Sequence, residues 1–159
     1  IIWRQSYTQS GKKWKPVNIE AAEIRGVELS GAVEFGALSI NTSVNISDPR
    51  NRGRNYGGNF LTFQPELQTY TAFAVAAGIW EWEISHRYLS RRYTTEANTV
   101  WVEPASVFDL SVSAEFNAGG FKLRPRFRVN NAFDELYSII EDSPMPGRYY
   151  TLSIQIIQL

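Results

Sequence analysis

Residues 38–47 read LSINTSVNIS and show the pattern that decides the fold. Every second residue from Leu38 to Ile46 is apolar or threonine, and the residues between them are serine or asparagine. Side chains in a β-strand point alternately to the two faces of a sheet. The stretch therefore predicts a strand with one apolar face and one polar face.

The same alternation continues on both sides of this stretch. Apolar residues alternate with Lys and Arg over residues 121–130, and with Ser, Asp and Glu over residues 107–116. The helical period of 3.6 is nearly absent, apart from one helical turn expected near Phe133–Tyr137. We therefore predict an all-β antiparallel meander of about eight long strands. The expected strands lie near residues 1–9, 19–35, 38–48, 66–77, 79–90, 105–116, 121–131 and 148–158.

Short and long connections alternate between these strands. The short connections contain Gly or Asn, which tolerate the positive φ that hairpin turns need. Outer-membrane barrels show this alternation, with short periplasmic turns and long extracellular loops. The predicted short turns are 36–37, 77–78 and 117–120, and the predicted long loops are 10–18, 49–65, 91–104 and 132–147.

Each short turn also predicts a register for the strands that it joins. In the expected registers apolar residues face apolar residues, and acids face bases, which is the arrangement that stabilises sheets. The predicted pairs include Phe35 with Leu38, Val27 with Ile46, Val75 with Trp80, Phe73 with Trp82, Phe116 with Phe121, Glu115 with Lys122, and Asp109 with Arg128.

The composition excludes several classes of protein. The 159 residues contain 16 basic and 16 acidic residues and no cysteine. The chain is therefore not held by disulfides, and its balanced charge does not indicate a nucleic-acid partner. No apolar run approaches the ~18 residues of a spanning helix, but a spanning strand needs only about 9–11 residues. Residues 1–4, IIWR, look like the middle of a strand, so we expect further chain upstream.

Alternation alone does not decide which face points outward. In a soluble sandwich the apolar face points inward, and in a membrane barrel it meets lipid while the polar face lines a wet lumen. The charged row Lys122, Arg124, Arg126 and Arg128 favours the barrel, because unpaired charge is costly to bury in a small dry core. Aromatic residues near the strand ends also favour it, since barrels carry an aromatic girdle at each interface.

Residues 128–159 read RVNNAFDELYSIIEDSPMPGRYYTLSIQIIQL and resemble the C-terminal signature of TonB-dependent receptors. A second stretch, NIEAAEIRGVELSG over residues 18–31, is similar to the family's segment with Gly-Val-Glu along a barrel strand. We expect the motif residues to be structural, since none has the chemistry of a catalytic group. They are Gly26, Glu28, Asn130, Asn131, Phe133, Asp134, Tyr137, Pro144, Pro146, Gly147 and Arg148.

The resemblance implies a bacterial outer-membrane transporter that takes up a scarce nutrient, such as a ferric siderophore, cobalamin or a glycan. It implies that residues 1–159 are the C-terminal part of the barrel domain, without the plug and the N-terminal barrel strands. The expected partners are outer-membrane lipid, these missing parts, TonB through the missing N-terminal region, and a small nutrient ligand. No cofactor and no enzymatic activity are expected, and the open strand edges are expected to make the chain self-associate.

Long loops often carry binding residues, and two of the predicted long loops contain clustered arginines and tyrosines. The candidate ligand-contacting residues could recognise an anionic siderophore or lipopolysaccharide phosphates, or they could simply keep a flexible loop soluble. The Lys122–Arg128 row likewise could guide an anionic ligand or be a lumen wall balanced by acids. The loop candidates are Arg50, Arg52, Arg54, Tyr56, Arg91 and Arg92.

Other chemistry is weakly supported. His86 is the only histidine, and no cysteine is available to complete a metal site. Glu81 and Glu83 share a face, which a glycosidase pair on one strand requires, but a solvated lumen wall explains them as well. Two alternatives to a transporter stay open at this stage: a self-contained eight-stranded structural or adhesive outer-membrane protein, and a soluble all-β ligand-binding domain.

Overall fold

The computed structural model describes the backbone of residues 2–8, 11–17 and 20–158, and the side chains of residues 20–158. Within these ranges all regular structure is β-strand. The helical turn expected near Phe133 is instead a turn followed by irregular backbone. The strands are β1 Ile2–Thr8, β2 Gly11–Val17, β3 Ala22–Phe35, β4 Leu38–Asn51, β5 Leu67–Ala77, β6 Trp80–Leu89, β7 Arg92–Tyr93, β8 Trp101–Val102, β9 Ala105–Ala114, β10 Phe116–Ala118, β11 Phe121–Asn130, β12 Ser138–Ile140, β13 Ser143–Pro144 and β14 Tyr149–Gln158.

One antiparallel sheet contains all the long strands from β3 onward. Its order is β3-β4-β5-β6-β9-β11-β14, and β10 continues β9 beyond Glu115 to pair with β11. Among the described residues β3 and β14 each pair on one side only, so the sheet does not close. The all-β meander predicted from the sequence is confirmed.

The first part of the chain differs from the prediction. β1 pairs with β2 in a separate two-stranded sheet, and β2 occupies most of the loop predicted at 10–18. Residues 1, 9, 10, 18 and 19 of the predicted strands and loop lie outside the described residues. The alternation in LSINTSVNIS has no counterpart in GKKWKPV, which explains why the sequence did not indicate β2.

The short turns confirm one predicted register and correct two. Phe35 pairs with Leu38 as expected, but Ala77 pairs with Trp80 and Ala118 pairs with Phe121. The true turns are 78–79 and 119–120, because the glycines with positive φ (Gly78, Gly119 and Gly120) occupy the turn positions themselves. Both corrections shift the pairing by two residues, so every side chain stays on its predicted face. The corrected pairs are Val75 with Trp82, Phe73 with Ile84, Phe116 with Leu123 and Ser111 with Arg128.

The two faces of the sheet have opposite exposure. Large apolar side chains stand open on one face, with Leu29 at 64% and Leu152 at 74% of their full accessible surface. Most of the buried residues of the sheet lie on the polar face near its middle strands, including Ala72, Ser85, Val107, Asp109 and Ser113. A soluble domain has the reverse arrangement, so the structure favours an outward apolar face.

Aromatic residues mark the two ends of the apolar face. Trp80 and Tyr88 are eight residues apart on β6, and Phe116 and Phe108 are eight apart along β9 and β10. At ~3.3 Å per residue on a strand tilted ~40°, this spacing corresponds to about 20 Å of height, which is close to an apolar band ~25 Å tall. The described residues contain no helix that is long and apolar enough to cross a bilayer.

Candidate functional site

The polar face carries ion pairs that reach across a strand. Glu81 on β6 accepts hydrogen bonds from Arg124 at 2.7 Å and from Arg126 at 3.3 Å, both on β11. β9 lies between these strands, and its Ser113, 3% exposed, lies below the contact. The long side chains can meet because the residue between them is small.

Two more ion pairs extend this row. Arg128 contacts Glu83 at 3.3 Å across Ser111, and Lys122 contacts Glu115 at 2.9 Å. Each base of the row therefore has an acidic partner on the same face. These contacts favour a charge-balanced wall over a free cationic path for an anionic ligand.

Asp109 does not pair with Arg128 as the sequence predicted. The residue is 5% exposed. Its carboxylate accepts hydrogen bonds from Arg87 at 3.0 Å and from the backbone N–H of Asn131 at 2.9 Å. The two-residue shift at turn 119–120 sets Ser111 opposite Arg128 instead. Asp109 thus joins the sheet to the start of the last long loop.

In the structure the first, second and last long loops are residues 52–66, 90–104 and 131–148. The arginines predicted for the first of these loops are used within the protein, and Arg50 lies at the end of β4. Arg50 donates to Asp48 at 2.5 Å, and its guanidinium lies 3.7 Å from the centre of the Phe60 ring. Arg52 donates to Glu23 at 2.7 Å, and the backbone N–H of Arg54 donates to Glu20 at 3.0 Å. The carbonyl of Tyr56 accepts from Asn59. The loop has a defined shape that ties it to the start of β3.

Glu23, the acid that holds Arg52, has a shifted pKa. Hydrogen bonds from Arg52 and then from Arg25 hold the pKa of Glu23 below its ordinary value. The sequence prediction did not single out Glu23, because its partner Arg52 lies in a loop 29 residues further along the chain.

The long loops also hold one another. Asn98 accepts a hydrogen bond from the N–H of Phe60 at 2.7 Å and donates to the Phe60 carbonyl at 3.0 Å. Phe60 stacks on Tyr93 at 5.7 Å, and Tyr93 meets Trp101 edge to face. No sequence pattern signalled Asn98, since its role depends on loops that are 38 residues apart.

Arg92 is a buried arginine rather than a surface contact. Only 2% of the residue is exposed, and its guanidinium donates to the carbonyls of Ser90 at 3.1 Å and Ser138 at 2.8 Å. Burial lowers the pKa of Arg92, which stays protonated at neutral pH because an arginine starts far above it. Arg92 thus joins the second long loop to the last long loop by hydrogen bonds. Its neighbour Arg91 lies 5.5 Å over the Tyr93 ring.

The C-terminal motif closes the last long loop. Asn131 is 2% exposed, and its side chain exchanges hydrogen bonds with the backbone of Glu135 and donates to the carbonyl of Pro146. Asp134 accepts from the N–H of Arg148 at 2.7 Å, where the last strand is about to begin. A Cβ on Gly147 would lie 2.6 Å from that carboxylate, so only glycine leaves it room.

The remaining motif residues lie around this closure. Phe133 meets Phe108 edge to face at 5.3 Å and adds to the aromatic end of the apolar face. Asn130 donates to Thr151 at 3.3 Å, and Pro144 pairs with Ser138 in the small sheet of the loop. Tyr137 lines a recess on the polar face.

The Gly-Val-Glu stretch runs along β3. A Cβ on Gly26 would lie 2.6 Å from the carbonyl oxygen of Ile46, so the two backbones approach too closely for a side chain. Glu28 points to the polar face and lines the same recess as Tyr137.

His86 lies on the apolar face. It stacks on Phe108 at 4.3 Å and shares a hydrogen bond with Ser106 at 3.0 Å. Within residues 20–158, no three His, Asp or Glu side chains are grouped as a metal site requires.

Residues 3–132 match the family profile described as "TonB dependent receptor-like, beta-barrel". The match covers most of the chain. The chain belongs to this family. TonB-dependent receptors are outer-membrane β-barrels, so the sheet is barrel wall in the bacterial outer membrane, with its apolar face toward lipid. The short turns then lie at the periplasmic end and the long loops at the extracellular end.

Individual relatives agree with this assignment. The chain is 26% identical over 137 residues to the vitamin B12 transporter BtuB of Photobacterium profundum, which covers 86% of this chain and 22% of that protein. Thus the chain spans about a fifth of the length of this relative. The proteins that it resembles are transporters and receptors rather than enzymes.

Solved structures share the fold. The ferric preacinetobactin receptor BauA from Acinetobacter baumannii superposes with a TM-score of 0.78 at 14% identity, over 96% of this chain and 25% of that one. The copper transporter OprC superposes with a TM-score of 0.75 at 18% identity, over 96% and 26% of the two chains.

Proposed function

We propose that the full protein is a TonB-dependent transporter, and that this chain is the C-terminal part of its barrel wall. The supporting observation is the two-faced sheet: its apolar face is open, and its polar face is lined by the Glu81–Arg124 and Glu83–Arg128 ion pairs. Such a wall suits a wide aqueous lumen, since charges at this density need water or partners. The nutrient would be scarce, such as a ferric siderophore, cobalamin or a glycan.

The proposed partners follow from the open parts of the sheet. Outer-membrane lipid covers the apolar face, and further barrel strands pair with the free edges of β3 and β14. A plug from the N-terminal region fills the lumen and is moved by TonB. The wall contributes the lumen surface and the extracellular loops, and gating belongs to the plug.

Growth under nutrient limitation tests the proposed transport. The gene is deleted, and growth is measured on single sources of iron, cobalamin or glycan, with and without a plasmid that restores the gene. We expect one source to support growth only when both the gene and TonB are present. Growth on every source without the gene, or rescue that is equal without TonB, contradicts the proposal.

We further propose that the first long loop contributes to ligand capture through Arg54 and Tyr56, while Arg50 and Arg52 hold its shape. The latter two are engaged with Asp48 and Glu23. Replacing Arg54 and Tyr56 with alanine should reduce nutrient uptake and leave the hydrogen-exchange protection of the loop backbone unchanged. Unchanged uptake in this double variant would refute a ligand contact here.

We also propose that residues 1–159, produced alone in detergent, associate through strand edges. β3 and β14 are exposed along almost their whole length, and unpaired edges accept further strands. Light scattering should show oligomers. A stable monomer would argue against edge pairing.

A further inference from the structure

A recess of about 390 Å³ opens on the polar face near the long loops. Its floor is formed by two adjacent rows of inward-facing residues that cross β3, β4, β5, β6 and β9. Tyr137 and Ile139 of the last long loop line it as well. This volume lies within the ~300–1,000 Å³ of small-molecule sites in proteins.

Polar side chains at one end of the recess have no partner within residues 20–158. Among the residues that the structure describes, the side chains of Glu28, Ser43, Asn45 and Gln68 form no hydrogen bond or ion pair. The charged row at Glu81 differs, because there the polar side chains bond to one another. The unpaired groups of the recess are therefore available to a ligand that donates and accepts hydrogen bonds.

The other end of the recess is apolar. Leu89, Ala105 and Val107 form the floor there, with Ile139 beside them. The Tyr70 ring lies between the two ends, on the strand next to β6. A ligand group with hydroxyls on its edge and C–H bonds on its face would satisfy both ends.

The charge of the recess disfavours anions. Arg87 is the base that lines it, and Asp109 already holds that guanidinium at 3.0 Å. With Asp109 beside the recess counted, two acids and one base give the recess and its surroundings one excess negative charge, and Arg87 is engaged with Asp109 rather than with Glu28. A polyanionic chelate would meet repulsion here, whereas an uncharged group would not.

We propose that this recess binds an uncharged, hydroxyl-rich group of the transported nutrient, of the kind that a neutral sugar presents. The inference builds on the transport function proposed above and narrows its substrate class. Carboxylate and amide side chains bond to sugar hydroxyls, and aromatic or aliphatic side chains cover the C–H face.

Calorimetric titration of the full-length protein in detergent tests the proposal. The probes are three neutral trisaccharides, maltotriose, xylotriose and β-1,4-mannotriose, with ferric citrate as the polyanionic comparison. The test variant is Asn45→Ala combined with Gln68→Ala. Asn41→Ala is the matched control, because Asn41 shares the strand and face of Asn45 but lies outside the recess.

At least one trisaccharide should bind more tightly than ferric citrate and lose about tenfold in affinity in the double variant, as expected from two lost hydrogen bonds. Asn41→Ala should change nothing. Tighter binding of ferric citrate, absence of trisaccharide binding, or equal loss in the control overturns the proposal. The proposal is also overturned if the double variant leaves saccharide affinity unchanged but makes the N-terminal region more sensitive to protease. In that case the recess would hold another part of the protein rather than a ligand. Saccharide binding without TonB-dependent growth would instead contradict transport and leave the recess assignment standing.

Discussion

Phe73 and Ala74 are neighbours on β5 that point to opposite faces, so arginine at each position tests which face meets lipid. Phe73 pairs with Ile40 and Ile84 on the apolar face, and Ala74 pairs with Ser39 and Glu83 on the polar face. The two positions lie at the same depth and differ only in the side of the sheet. We expect Phe73→Arg to destabilise the barrel and Ala74→Arg to be tolerated.

The magnitude follows from the depth of Phe73. It lies four residues from Ala77 at the short turn and four from Thr69, which pairs with the girdle residue Tyr88. Four residues at ~3.3 Å on a strand tilted ~40° correspond to about 10 Å of depth, which is near the midplane of a ~25 Å band. Arginine there costs about 2–4 kcal/mol, or roughly 30- to 1,000-fold in the folding constant. Ala74→Arg should stay within about 0.5 kcal/mol, since its side chain faces the lumen beside Glu83.

Equilibrium folding of the full-length barrel into lipid vesicles, titrated with urea, measures both variants. The folded fraction is read from the mobility of unheated samples on gels. Equal destabilisation by the two substitutions would refute the assignment of faces, and so would a larger cost for Ala74→Arg. Phe73→Ala is the control for the lost ring.

Three further predictions concern single contacts. Gly147→Ala should displace the Asp134 carboxylate and cost about 1–2 kcal/mol in the same assay, and Asp134→Ala should add little to it if the two act through one hydrogen bond. Ser113→Leu should block the ion pairs that cross β9 and cost about 1–3 kcal/mol, whereas Ser113→Ala should be nearly neutral. Because the pKa of Glu23 is lowered in the folded protein, its contact with Arg52 stabilises the first long loop fully above the ordinary pKa of 4.5. This stabilisation decreases as pH falls below 4.5 and is gone once pH has fallen through the lowered pKa. Hydrogen-exchange protection factors of residues 52–58 should show this loss, and Arg52→Met should flatten it; an equal pH response in the variant would contradict the assignment.

Several features of the polar face could not be predicted. Glu81 meets bases that are 43 and 45 residues away, and it does so across a strand rather than beside it. That contact requires the correct register of two hairpins and a small side chain at Ser113. The sequence placed the acids and bases on one face but paired Asp109 with the wrong arginine, because the turn position was misjudged by two residues.

The contacts of the loop arginines could not be predicted from the sequence either. The sequence identified Arg50, Arg52 and Arg92 as charged loop residues that could contact a ligand. In the structure each is held by a ring, a carboxylate or backbone carbonyls from elsewhere in the chain. Their roles depend on which loops lie together, and loop sequences do not carry that information.

The sequence by itself determined the all-β fold, the positions of the long strands and the two faces of each strand. It did so because alternation has a period of two, and an error of two residues in a turn leaves the faces unchanged. The tertiary structure decided which side chains meet: the ion pairs across β9, the closure of the last loop by Asn131 and Asp134, and the recess beside Glu28. These contacts join strands and loops that are far apart in the chain, so they exist only once the sheet has its register and the loops have packed.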